Sequence, residues 1–185
     1  MKWEVFKHYK TDNFIETGTY LGEAIKHALK YGFKNIRSVE IVKDLYLINK
    51  KFFKDYENIK LYNGDSGYLL WKMIEDISGQ MTFWLDGHFH PAGKNRIDNT
   101  KNISWGKSNE EELWTPLKRE LKAIKKHPIK NHIIIIDDIR EFPSKEYGSL
   151  SCEDLEKMLL EINKDYQFTY HKGVTTKDIL VAHIN

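Results

Sequence analysis

Four consecutive isoleucines, Ile133 to Ile136, run straight into Asp137-Asp138. A segment that is apolar at every position buries both faces of a strand, and that requires helices packed on either side of a mostly parallel sheet. The rest of the chain supplies those layers. Short apolar runs alternate with amphipathic stretches from end to end, and neither an internal repeat nor a low-complexity segment interrupts them. The pattern predicts strands over 13–16, 36–40, 59–62, 81–85, 132–136, 167–171 and 178–183. It predicts helices over about 22–31, 43–55, from 66 to Ile77, about 110–127 and 151–163. Gly32 and Gly79 close the first and third of these, and in the second Leu45, Ile48, Phe52 and Phe53 form the expected buried side. The last two strands lie close enough for a hairpin. A chain of 185 residues, 41% of them hydrophobic, is the size of one α/β domain, so a single domain over 1–185 is expected.

Charge narrows the partners. With 29 basic and 27 acidic residues the formal charge is only +2, which gives no strong field toward nucleic acid and makes a nucleic-acid partner unexpected. No N-terminal apolar run suits a signal peptide and no stretch approaches the roughly 20 apolar residues of a membrane span. The expectation is therefore a cytoplasmic protein, of a bacterial cell or of the host cell if viral, without a membrane partner. Cys152 is the only cysteine, so a thiolate cluster is excluded and any metal must be held by oxygen or imidazole. Trp3, Val5 and Phe6 give the N-terminus an apolar side compatible with a homodimer.

In an open parallel sheet, ligands bind beyond the carboxyl ends of the strands, so the residues just after each strand matter most. After the first strand comes Glu16-Thr17-Gly18-Thr19-Tyr20-Leu21-Gly22, a turn whose glycines would let the backbone approach a ligand. It has Glu first and lacks the Gly-x-Gly-x-x-Gly of dinucleotide sites. An ordinary strand-to-helix turn explains the glycines equally well. The second strand ends in Glu40, about 20 residues after the turn, where a carboxylate matches the vicinal hydroxyls of a ribose. The third ends in Asp65-Ser66, placed either to meet an adenine amino group or to cap the next helix.

Together Glu16 to Gly22, Ser38-Val39-Glu40 and Asn63-Gly64-Asp65-Ser66 resemble, in order and spacing, the three cofactor motifs of class I S-adenosylmethionine-dependent methyltransferases. The resemblance covers nearly the whole chain. It implies a Rossmann-like α/β sandwich with a mostly parallel seven-stranded sheet and an antiparallel C-terminal strand. It also implies that the turn around Gly18 lies against the methionine part of S-adenosylmethionine, Glu40 holds the ribose, and Asp65 or Ser66 contacts adenine.

The reaction site is expected at the next two strand ends. Asp86 follows the fourth strand in Leu85-Asp86-Gly87-His88-Phe89-His90, beside the cofactor as well as the acceptor, and Asp137-Asp138 follows the fifth. Three converging carboxylates repel one another unless a divalent cation joins them, and hard oxygen ligands favour Mg²⁺, Ca²⁺ or Mn²⁺, with Mg²⁺ or Mn²⁺ the expected cofactor. The alternative is that Asp138 caps a turn and Asp137 pairs with Arg140 or a lysine. An Asp after strand four and an acidic pair after strand five resembles the metal site of the catechol-type and macrolide-sugar O-methyltransferases. In those families the metal lowers the pKa of an acceptor hydroxyl.

Two departures are visible. The catechol family has Asp-Asn where this chain has Asp137-Asp138, and its catalytic lysine position is Phe89 here. His88, with His90 as second choice, is then the expected base beside Asp86; each also reads as a loop histidine or an additional metal ligand. The polar segment over about 87–110, with Lys94, Arg96 and Trp105, reads as an acceptor lid. Its polarity suggests a sugar or glycan hydroxyl as acceptor, with a small polyol or phenol next. The same motifs also allow a methyltransferase of nucleic acid or protein, or a nucleotide-binding module without catalysis.

Overall fold

The computed structural model describes residues 2–88, 115–145 and 147–184. It contains seven strands, β1 (Asn13–Thr17), β2 (Asn35–Glu40), β3 (Ile59–Asn63), β4 (Met81–Leu85), β5 (Ile133–Ile136), β6 (Gln167–His171) and β7 (Ile179–His183). They form one sheet in the order β3-β2-β1-β4-β5-β7-β6. β1 to β5 pair in parallel, whereas β7 runs antiparallel between β5 and β6. The isoleucine run is thus an interior strand, and β4 holds the middle. The hairpin and the antiparallel final strand are as the sequence predicts.

Alternation along the strands builds two cores. Ile15, Phe83, Leu85, Ile134 and Ile136 pack with helices α4 (Ser66–Ile74), α5 (Leu117–Lys126) and α6 (Cys152–Leu160) on one face. Phe14, Ile36, Trp84, Ile135 and Val181 pack on the other with α1 (Val5–His8), α2 (Glu23–Lys30) and Phe53, which ends α3 (Lys43–Phe52). Gly32 ends α2 as expected: at φ +78° it lets the Phe33 and Gly32 amides donate to the carbonyls of Ala28 and Leu29, a complete Schellman cap.

Three sequence expectations are corrected. On α3 the buried positions are Leu45 and Asn49, with Phe53 one turn further on; Ile48 and Phe52 are exposed. The buried Asn49 amide donates to the carbonyls of Tyr20 and Leu45, which fixes the rotation of the helix. α5 begins only after Pro116, and residues 110–114 of its predicted range lie outside the described residues. The N-terminal apolar side faces inward: Phe6 is fully buried and packs against Phe14, Phe33 and Trp84, while Trp3 stacks on His27. The burial of Val5 and Phe6 within the chain removes the argument for a dimer built on that segment.

At the amino end of β5 two buried histidines are joined in a chain of hydrogen bonds. The Met81 amide donates to His132 Nδ1 at 3.2 Å, His132 Nε2 lies 3.0 Å from His127 Nδ1, and His127 Nε2 lies 3.0 Å from the Ile77 carbonyl. These partners assign the ring protons to both Nε2 atoms, and a second proton on His132 would face the Met81 N–H. Burial, with the nearby Lys130 charge, accordingly holds the His132 pKa down at about 3. Because the folded value lies below the unfolded one, stability is complete above about pH 6.5 and falls by ~1.4 kcal/mol per pH unit below it for this one proton. Urea unfolding at pH 7 and pH 5 is expected to show this slope, and His132→Asn should remove it; an unchanged slope in the variant would contradict the assignment.

Candidate functional site

The site lies where β1, β2, β4 and β5 end, at the point where the strand order reverses between β1 and β4. On its cofactor side the β1–α2 turn is pinned by the Gly18 and Thr19 amides, both of which donate to the Val39 carbonyl. Gly18 has φ +85°, and a Cβ there would overlap the Asp86 carbonyl. Gly22 has φ +75° and abuts Asn49 and Phe53. These glycines are therefore required first by packing of the turn on β4 and α3.

Glu40 bridges that turn to the start of α3. Its Oε2 accepts from the Tyr20 amide at 2.7 Å, its Oε1 from the Val42 amide at 2.9 Å, and burial raises its pKa. Each oxygen keeps a lone pair for a further donor. Glu16 is buried and accepts from Ser38 Oγ at 2.5 Å; Ser38 in turn meets Thr19 Oγ1 at 2.5 Å. Burial raises the Glu16 pKa well above the carboxylate range. The Thr17 hydroxyl is buried and faces the Glu120 carboxylate. Tyr20 itself takes a positive φ of 47°.

Of the two roles the sequence allows the third motif, the structure shows the helix cap. Asp65 caps α4 through the Gly67 amide and pairs with Arg119 at 2.9 Å, while Ser66 Oγ donates to Glu120 at 2.5 Å. The Ser66 hydroxyl therefore turns into the protein, toward α5, and the Asp65 carboxylate serves the helix cap. Glu120 is buried beneath Gly87, and burial raises its pKa to about 7.

On the reaction side, Asp86, His88 and Asp138 place one donor atom each within 4.8 Å of one another. His88 Nε2 lies 2.9 Å from Asp138 Oδ2 and 3.2 Å from Asp86 Oδ1, and its Nδ1 lies 2.8 Å from the Tyr147 hydroxyl. Burial alone would lower the His88 pKa; hydrogen bonds and charge from Asp138 and Asp86 overcome it and push the group up to about 10. His88 is thus clasped between two carboxylates at the position where the sequence expects a base. His90, the second candidate, and the rest of 89–114, including most of the predicted lid, lie outside the described residues.

Asp137 and Asp138 diverge because Asp138 takes the left-handed conformation, φ 57°. Asp138 accepts from Arg140 at 2.5 Å, and Arg140 also binds the buried Asp178 at the start of β7 at 2.8 Å. Asp137 pairs with Lys2 at 2.6 Å, and its Oδ1 is buried without a partner among the described residues. Asp137, Asp138 and Asp178 also come within 4.8 Å of one another. There Lys2 and Arg140 already provide the cations, whereas two of the three residues expected to hold a metal, Asp86 and Asp138, converge on His88.

These residues fit a divalent ion. Separations of 2.9 and 3.2 Å between ligand atoms match the ~3.0 Å edge of an octahedron with bonds of about 2.1 Å. The Tyr147 hydroxyl on Nδ1 is the kind of outer partner that orients a metal-bound imidazole.

Sequence reasoning missed Lys2, Arg119, Glu120, Tyr147 and Asp178. Glu120 left a trace: with Leu117, Leu121 and Ile124 it occupies the apolar stripe of α5, where a carboxylate is out of place. Lys2 left none, since its partner lies 135 residues away.

The strand order with an antiparallel β7, and the placement of the three motifs, define the class I S-adenosylmethionine-dependent methyltransferase fold. Among solved structures, the chain is similar to the O-methyltransferase TomG from Streptomyces achromogenes, involved in tomaymycin synthesis and solved with S-adenosylmethionine. The identity is 11% over 99% of this chain and 78% of that one, with a TM-score of 0.60. An O-methyltransferase from Bacillus cereus, solved with S-adenosylhomocysteine, shows 11% identity over 99% and 78% of the two chains and a TM-score of 0.61. The S-adenosylhomocysteine-bound methyltransferase PaMTH1 of Podospora anserina shows 13% over 99% and 76%, with a TM-score of 0.57. No family model and no curated protein matches the chain. No described helix is long and apolar enough to cross a membrane.

Proposed function

We propose that this protein is an S-adenosylmethionine-dependent, divalent-metal-assisted O-methyltransferase acting on a hydroxyl of a sugar or glycan. The observation that carries this reading is the convergence, at the carboxyl ends of the strands on either side of the β1/β4 switch point, of the Gly18 turn with Glu40 and of Asp86, His88 and Asp138. The three solved methyltransferases bind S-adenosylmethionine or its product on the same fold, which supports the cofactor. In the transfer the acceptor hydroxyl gives up its proton to solvent and its oxygen attacks the methyl carbon in line as the carbon–sulfur bond breaks, releasing S-adenosylhomocysteine, and alignment provides much of the acceleration.

Asp86, His88 and Asp138 would hold the ion. Two carboxylates and an imidazole suit Mn²⁺ better than an all-oxygen set would. When bound, it would lower the pKa of an acceptor hydroxyl. The chain's own groups do the rest. Glu40 fixes the turn on which the cofactor rests, and Tyr147 holds the ring of His88. Thr115, Glu120, Phe142 and Tyr147 line a small cleft beside Asp86 and His88.

Calorimetric titration with S-adenosylhomocysteine, with Mn²⁺ and after chelation, tests the reading. Cofactor binding in both conditions is expected, together with a separate Mn²⁺ signal that chelation abolishes. Absence of any S-adenosylhomocysteine binding would overturn the methyltransferase assignment.

A further inference from the structure

Lys2 enters the acidic site from the three-residue helical turn Lys2–Glu4. Its ammonium lies 2.6 Å from Asp137 Oδ2 and 4.0 Å from Asp86 Oδ2, and 4.5 and 5.4 Å from the ring centres of Trp3 and Trp84. A lysine on a flexible tail would gain little from such a pair. Here the tail is anchored: Trp3 stacks on His27 and lies 5.4 Å from Trp84, and the following Val5 and Phe6 are core residues. Asp137 is only 3% exposed and its Oδ1 has no partner among the described residues, so Lys2 is the cation that this buried carboxylate faces in the cluster beside Asp86 and Asp138.

We propose that Lys2 is a positioning residue of the reaction site, an internal cation that occupies Asp137 and confines a divalent ion to Asp86, His88 and Asp138. The inference rests on the metal-assisted reading above. Its consequence is selectivity. With Asp137 occupied, the ion meets two carboxylates and an imidazole; with Asp137 released, a third carboxylate would join and the site would become more favourable to Mg²⁺.

The test is equilibrium binding of Mn²⁺ and Mg²⁺ to the full chain, read by the electron paramagnetic resonance of free Mn²⁺ and by competition. Asp137→Asn should bind Mn²⁺ within about threefold of the wild type, because Asp137 is not a ligand. Lys2→Met should bind at least about tenfold tighter, a change of ~1.4 kcal/mol, with the larger gain for Mg²⁺. Adding Asp137→Asn to Lys2→Met should cancel the gain, and Lys2→Arg should stay near the wild type. The proposal is overturned if Asp137→Asn abolishes Mn²⁺ binding or if Lys2→Met changes neither affinity. Should Lys2→Met fail to fold, as judged by thermal melting and S-adenosylhomocysteine binding, Asp137→Asn and Lys2→Arg still decide. A wild type that binds no Mn²⁺ defeats the metal reading, yet a site gained in Lys2→Met would uphold the role of Lys2; no binding in either defeats both.

Discussion

Gly18→Ala is expected to cost about 2–5 kcal/mol of stability and to remove detectable binding of S-adenosylhomocysteine. Two penalties add. An L-residue at φ +85° pays the left-handed cost, and its Cβ would overlap the Asp86 carbonyl oxygen while standing 2.9 Å from the carbonyl carbon. Neither partner can yield easily, because the Asp86 amide donates to the Thr17 carbonyl and the Gly18 amide donates to Val39. The clash therefore moves the junction between the β1 turn and the β4 end, the two segments that must sit together for a methyl group to meet an acceptor. Gly79→Ala is the control: there a Cβ meets only Asn13 Nδ2, at 3.1 Å. Thermal melting and calorimetry of both variants check the claim, and a Gly18→Ala protein with native melting and native cofactor affinity would contradict it.

That contrast shows what the sequence carries and where it falls silent. Strand ends were legible because burial on both faces and period-two alternation leave few alternatives, and acidic residues at those ends stood out against apolar runs. What each acid does was not legible. Asp65 has the composition of a base-reading residue and of a helix cap, and only Arg119 and the Gly67 amide show that the cap is in place. Ser66 needed the position of Glu120, whose intrusion into an apolar stripe was a usable signal. Asn49 gave a similar signal on α3, and taking it as the buried position would have turned Ile48 and Phe52 outward. The ion pairs of Asp137 and Asp138 depend on the left-handed backbone at Asp138 and on a lysine at the opposite end of the chain, neither of which has a local signature.

Asp138 is where the metal reading is most exposed to a decisive result. Asp138→Ala is expected to weaken Mn²⁺ binding at least about 100-fold while changing S-adenosylhomocysteine affinity by no more than about threefold. The side chain joins His88 at 2.9 Å to Arg140 at 2.5 Å, so its loss removes one ligand and frees the imidazole that should supply another. Arg140 retains Asp178, which limits the damage to the fold to about 1–3 kcal/mol. The cofactor side is spared because Glu40 and the Gly18 turn are held by their own backbone bonds. Asp138→Asn separates charge from shape. It recreates the Asp-Asn pair of the catechol-type family, keeps a carbonyl oxygen for the ion, and should cost about tenfold in Mn²⁺ affinity. An Asp138→Ala protein that binds Mn²⁺ like the wild type would mean that Asp86, His88 and Asp138 form a structural ion-pair network, with His88 serving as its permanent cation.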